Sequence, residues 1–279
     1  MQDKLVHIML AISCLSIAGS AFSADLFDFS RLPEAKYRQN RESFERALQG
    51  WKSETLDNAE LRWSSDLNVY FTGQSFVDLV HLGPAAAPYL AEALQEDGYK
   101  SFFLDCGLDY LMGGFWTRVA GIEINHLSGT EISSEIKVQV TKWWKDVAGQ
   151  CALVWDTRRA AFDTRLKHGK PTAEDLLDLR KEAEWMNLRT MGLYAVPSVM
   201  KRVQDGKSDI YDLYLLNIWT APFQIESQTL PKYATGGVEK SVPAPTRKRL
   251  LPKEYNLDTS HWLRWWDENK EDYWWLMPE

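Results

Sequence analysis

Along most of this chain the apolar positions step at the helical interval rather than alternating. Tyr37, Phe44, Ala47, Leu48 and Trp51 recur at helical spacing over Glu34 to Gly50 and the residue beyond. Charged residues fill the other face, so the segment predicts an amphipathic helix with a glycine stop. Ser75-Phe76-Val77-Asp78 has the spacing of a capping box ahead of Leu79 and Leu82, and Gly83 stands where a positive φ would end that short helix. Pro84 and Pro88 suit the first turn of the next helix, whose buried stripe continues through Leu90 and Leu94. Phe103, Leu104, Leu108, Leu111 and Met112 mark a further helix, stopped by Gly113-Gly114. Ile136, Val140, Trp143 and Val147 step by four, three and four and read as helix, although Ile136, Val138 and Val140 alone would also suit a strand.

The second half repeats this grammar. Leu79, Leu82, Gly83, Ala86, Pro88, Leu90 and Leu94 match Leu188, Met191, Gly192, Ala195, Pro197, Val199 and Val203 at one offset of 109 residues. Lys142-Trp143-Trp144-Lys145-Asp146 is echoed by Arg264-Trp265-Trp266-Asp267. Pro88 precedes Trp144 by 56 residues and Pro197 precedes Trp266 by 69, so the second copy carries 13 more. The Gly/Pro-rich stretch 231–252 is the natural place for that insertion.

Phe76 to Leu94, with its Leu82-Gly83 and Ala86-x-Pro88-x-Leu90, resembles the Leu-Gly-x-x-Ala-x-Pro-x-Leu segment of HEAT-like repeats, including the short type named after phycobilisome lyases, and Trp185 to Val203 is similar. The resemblance implies pairs of antiparallel helices stacked side by side, and it implies no reaction. Only two units occur and irregular stretches interrupt them, so the expected fold class is all-α, a HEAT-like helical-repeat domain with two related lobes rather than a smooth solenoid. The expected organisation is a secretory signal over 1–23, an N-terminal helical region over 24–72, a first lobe over 73–150 and a second over 151–279.

That signal is read from Lys4 followed by an apolar run from Leu5 to Ala18, too short to span a bilayer. Ala21-Phe22-Ser23 places the cut before Ala24. Lipidation at Cys14 is a poorer alternative, because Ala11-Ile12-Ser13 lacks the leucine expected three residues ahead of such a cysteine. No later stretch has the length and apolarity of a membrane span, so the expected location is the bacterial periplasm or outside the cell. Cys106 and Cys151 then remain in an oxidising compartment, where a bridge and a pair of buried thiols are comparably good readings.

Composition narrows the chemistry. Across 279 residues the charged fraction is 25% and the net charge −7, which fits an ordinary globular protein and argues against nucleic acid as a partner. Metal-protease, nucleophile-elbow, phosphate-loop, dinucleotide and calcium-loop motifs are all missing, so no catalytic residue, metal or cofactor is expected. The best foothold for an enzyme is the loop 121–131, where Glu123, His126, Ser128 and Glu131 can converge, against the blander reading of a solvated loop histidine. His81 and His168 fall at predicted helix ends, and His261 carries no assigned role.

Two features remain as candidate binding residues. Among the 13 tryptophans, Trp144, Trp266, Trp274 and Trp275 can form an aromatic platform for a sugar ring or a protein partner, the alternative being packing anchors. The run from Lys240 to Lys253, with Arg247, Lys248 and Arg249, is a solvated basic loop or a contact for an acidic partner surface or anionic envelope polymer. The function expected is an exported, non-enzymatic interaction protein, of scaffold or inhibitor type, that binds another envelope protein. The alternative is a glycan-binding protein or hydrolase with a Trp/carboxylate cleft.

Overall fold

The first helix shows how the apolar stripe becomes packing. Helix α1 (Glu34–Trp51) buries Phe44, Ala47, Leu48 and Trp51, while Arg38–Glu34 and Arg41–Glu45 pair along the outer face at i,i+4. Gly50 does not stop it. A side chain there would overlap the Ser75 hydroxyl, so the glycine serves close approach to α2 (Gln74–His81). The capping box expected at Ser75 and Asp78 is also absent. Helix α2 starts two residues earlier, with Gly73 (φ +93°) at its N-cap; Ser75 Oγ donates to Glu54 Oε1 at 2.7 Å, and Asp78 accepts from Gln74 Nε2 at 2.8 Å.

In this computed structural model the described residues are 26–56, 67–98, 101–124, 133–166, 182–230 and 239–278. The secretory signal therefore lies outside the described residues. After α2 come a 3-10 turn (Gly83–Ala86), α3 (Ala87–Glu96), α4 (Phe102–Met112), α5 (Trp116–Ala120), α6 (Ser134–Lys145) and α7 (Val147–Arg165). Then follow α8 (Ala183–Arg189), a second 3-10 turn (Gly192–Ala195), α9 (Val196–Gln204), α10 (Ile210–Trp219), strands β1 (Phe223–Leu230) and β2 (Lys240–Arg247), α11 (Thr259–Asn269) and a closing 3-10 segment (Lys270–Leu276).

The internal repeat is visible in the backbone. Helices α2 and α8 begin 109 residues apart, as do the 3-10 turns and helices α3 and α9, and Gly83 and Gly192 share φ +58°. Each unit starts from a long helix packed on a short one, α1 on α2 and α7 on α8, and ends in a capped helix. Ser101 Oγ accepts from Leu104 N to start α4, and Asp209 forms a full capping box with Asp212 to start α10. The units meet backbone to backbone. A side chain on Gly114 would lie 2.6 Å from the Met191 carbonyl, and one on Gly192 would lie 2.6 Å from Gly114 N.

The fold is mostly helical, but not wholly so. Strands β1 and β2 form an antiparallel hairpin with Phe223 opposite Arg247 and Leu230 opposite Lys240. In the segment expected as a loop insertion over 231–252, residues 240–247 are strand and 231–238 lie outside the described residues, and the partner strand begins before it. Pro243 and Pro245 cost β2 two ladder donors. Their carbonyls serve the helices instead: Pro243 O accepts from Gly73 N at 2.8 Å, and Pro245 O accepts from the Tyr110 hydroxyl.

Candidate functional site

The tryptophans expected as a platform are core residues. Trp144, Trp266, Trp274 and Trp275 are all at most 5% exposed. Adjacent indoles diverge around a helix, so one ring of each pair was expected at the rim. Instead Trp143 and Trp144 are both covered, Trp143 by Tyr194 at 6.2 Å and Trp144 by Trp275 at 6.4 Å. Trp144 meets Trp143 edge-on at 4.6 Å and lies 5.3 Å from Trp116. Trp275 Nε1 donates to Pro84 O at 3.2 Å, and Trp274 packs on Phe29 at 5.4 Å, so the aromatic tail is docked on its own chain. Trp266 rests on Tyr273 at 5.5 Å.

The basic run divides into distinct roles. Lys240 is exposed at the start of β2, Lys248 pairs with Glu254 at 3.0 Å, and Arg249 is exposed. Arg247 is no solvated cation. Its Nη1 donates to Trp219 O and to Ala221 O, and its Nη2 donates to Leu111 O at 3.0 Å. Burial lowers its pKa.

Cys106 and Cys151 are free thiols rather than a bridge. Burial pushes the Cys106 pKa up to about 12 and raises that of Cys151, so neither is an activated nucleophile. Glu123 is exposed, whereas His126, Ser128, Glu131 and His168 lie outside the described residues. His81 is exposed at the end of α2, and His261 sits edge-on to Trp262 at 5.2 Å. No group of acids, histidines and cysteines able to hold a metal occurs among the described residues.

Charge is buried in two other places. Arg159 reaches Asp212 at 2.7 Å, Asp163 at 2.9 Å and Asp209, while Arg202 meets Asp212 at 3.0 Å. This network anchors the capping box of α10 to α7, which is a structural task. On α4, Asp105 accepts from the Trp116 indole N–H and Asp109 from the Trp116 backbone N–H at 3.1 Å. Burial and the neighbouring Asp105 push the Asp109 pKa up to about 8.

Two cavities flank Arg247. One, of about 230 Å³, is walled by Trp185, Tyr214, Ile218 and Tyr255 and rimmed by Arg189, Lys248 and Arg249. Among the described residues neither Arg189 nor Arg249 has a carboxylate within ion-pair distance. The other, of about 450 Å³, is lined by Cys106, Asp109, Tyr110, Phe115, Phe223 and Arg247. Neither Arg189 nor Asp109 could be singled out from sequence, because each gains its setting from segments distant along the chain. Comparison with protein-family models, with curated proteins and with solved structures finds no match to this chain.

Proposed function

We propose that the chain is an exported, non-enzymatic interaction protein of the bacterial cell envelope, built of two HEAT-like helical units, which recognises an acidic protein partner beside β2. The observation that supports this reading is the cleft between α8, α10 and the segment after β2. There, among the described residues, Arg189 and Arg249 have no carboxylate within ion-pair distance beside an aromatic wall, in a chain of net charge −7. Such a rim attracts an acidic surface, and the half-buried Tyr255 and Ile218 offer area to an inserted side chain. An inhibitor or immunity-type protein is one form of this role. No helix among the described residues is long and apolar enough to cross a membrane. The four indoles offered for a glycan platform, Trp144, Trp266, Trp274 and Trp275, are buried, which favours the protein-partner reading.

The test is affinity capture from an envelope extract of the source cell, with the chain from Ala24 as bait, at low and high salt. The expected result is one stoichiometric acidic protein that is released by salt and lost with an Arg189→Glu, Arg249→Glu bait. Recovery of glycan fragments or of nothing, or a partner held equally by the charge-reversed bait, overturns the proposal.

A further inference from the structure

Arg247, half-buried, lacks the carboxylate partner that an enclosed arginine ordinarily has. Three of its five N–H donors are spent on the carbonyls of Trp219, Ala221 and Leu111, and the Phe223 ring lies 4.3 Å from its guanidinium carbon. Among the described residues no carboxylate comes within ion-pair distance of it. Carbonyl dipoles at two helix ends stabilise the positive charge without neutralising it, so an anion reaching the guanidinium gains a full Coulomb partner.

The larger cavity opens onto this guanidinium. Gly113 forms part of its wall with φ +62°, and a side chain there would sit 3.4 Å from Nη2 and 3.5 Å from Nε. The glycine therefore leaves the guanidinium reachable from the cavity, where Nε–H and the second Nη2–H remain unspent for a carboxylate. The remaining wall is aromatic: Tyr110 and Phe223 stack 5.9 Å apart, and Phe115 stands 45% exposed. Arg118 covers one face of Phe115 at 4.7 Å.

We infer that this cavity is a binding site for a small organic acid, whose carboxylate meets the unspent Nε–H and Nη2–H of Arg247 and whose apolar body lies among Tyr110, Phe115 and Phe223. A cationic ligand is disfavoured, because Arg247 and Arg118 already occupy ring faces and supply positive charge. Asp109 does not repel an anion at neutral pH. Asp105 and burial hold it protonated to about pH 8, against the Trp116 N–H and the Arg118 charge, which favour the ionised form. Tyr194 senses Asp105 and Asp109 and is itself neutral, and Tyr110 and Cys106 likewise stay protonated. A neutral Asp109 carboxyl can donate to the bound acid. Above about pH 8 it ionises and opposes the ligand. The volume lies in the range of small-ligand sites. This inference is independent of the acidic-partner reading, since the two cavities share Arg247 as a wall but differ in every group that would be altered.

The experiment titrates the full chain with phenylacetate and with its neutral isostere phenylacetamide, by calorimetry and by chemical-shift changes in the protein. Near neutral pH the acid should bind saturably at one site and the amide at least about tenfold more weakly. Phe115→Ala, at an exposed position, should weaken the acid by about tenfold. Raising the pH through about 8 should weaken the acid for the unaltered chain and leave Asp109→Asn unaffected. Equal binding of acid and amide, indifference to Phe115→Ala, or no saturable binding at roughly 10 mM would overturn the site. An affinity for the unaltered chain that stays level across that pH range would remove Asp109 from it.

Discussion

Leu111 and Trp219 lie in the last turns of α4 and α10, and one guanidinium, that of Arg247, binds both of their carbonyls. Helix carboxyl ends carry partial negative charge, so a cation shared between two of them is favourable as well as hydrogen-bonded. A single side chain from the hairpin thereby fixes the two helix ends relative to each other.

Replacing Arg247 by Met should therefore cost about 2–4 kcal/mol, because three carbonyls lose their donor while the aliphatic length is retained. Lys at this position should recover less than half of that, since a point charge cannot serve three divergent acceptors. Equilibrium urea unfolding measures both. A loss below about 1 kcal/mol would mean that the hairpin does not tie the units together.

Gly83 and Gly192 offer a cleaner comparison, because their backbones agree and their surroundings do not. Both have φ +58°, but a side chain on Gly83 would meet nothing within 4 Å, whereas one on Gly192 would strike the backbone of Met112, Gly113 and Gly114. Gly83→Ala should cost only the left-handed penalty, about 1–2 kcal/mol. Gly192→Ala should cost at least about 3 kcal/mol, since backbone cannot swing aside as a side chain can. Equal losses in thermal or urea unfolding would show that the units do not meet as closely as described.

The same pair explains how far the sequence could be read. Gly83, Gly192 and the leucines around them repeat at one offset because both units place those positions in the core, so the helices were legible. The hairpin was not. Its strand β2 carries Pro243 and Pro245, which argue against a strand until their carbonyls are seen to serve Gly73 and Tyr110. Helical geometry alone favours one exposed indole in each Trp pair, and it fails at Trp143-Trp144 because the cover from Tyr194 and Trp275 is tertiary and invisible to a local period. Arg247 read as one charge in a basic run. Its acceptors at 111, 219 and 221 come from two other helix ends, which no local pattern joins.

Asp109 should make stability fall with rising pH. In the folded chain it keeps its proton to about pH 8, against an ordinary value of 3.8, so the unfolded chain releases the proton first. The folded state thus loses ground from about pH 4 to about pH 8 and no further above that. The side chain is only half-buried, which tempers the size of the effect. Between about pH 5 and pH 8 the unaltered chain should lose about 1–3 kcal/mol more than Asp109→Asn, whose amide keeps the acceptor for Trp116 N. Urea midpoints at the two pH values decide it, and parallel curves for the two proteins would sink the assignment.

Cys106 and Cys151 bear on both structure and address. Burial raises both thiols, Cys106 to about 12, so at mildly alkaline pH Cys106 should react with an alkylating reagent about a thousandfold more slowly than an unperturbed cysteine. Fully buried Cys151 should react only when the chain opens. For the chain from Ala24, which lacks Cys14, denaturant without reductant should then admit two labels, counted by intact mass. A chain that takes up label only after reduction would instead be bridged between α4 and α7. Such a bridge would require the two helices to approach within about 7 Å between Cα atoms. Two labels without reductant, on protein recovered from the exported fraction, would show that these thiols survive an oxidising compartment because packing shields them, Cys151 most fully.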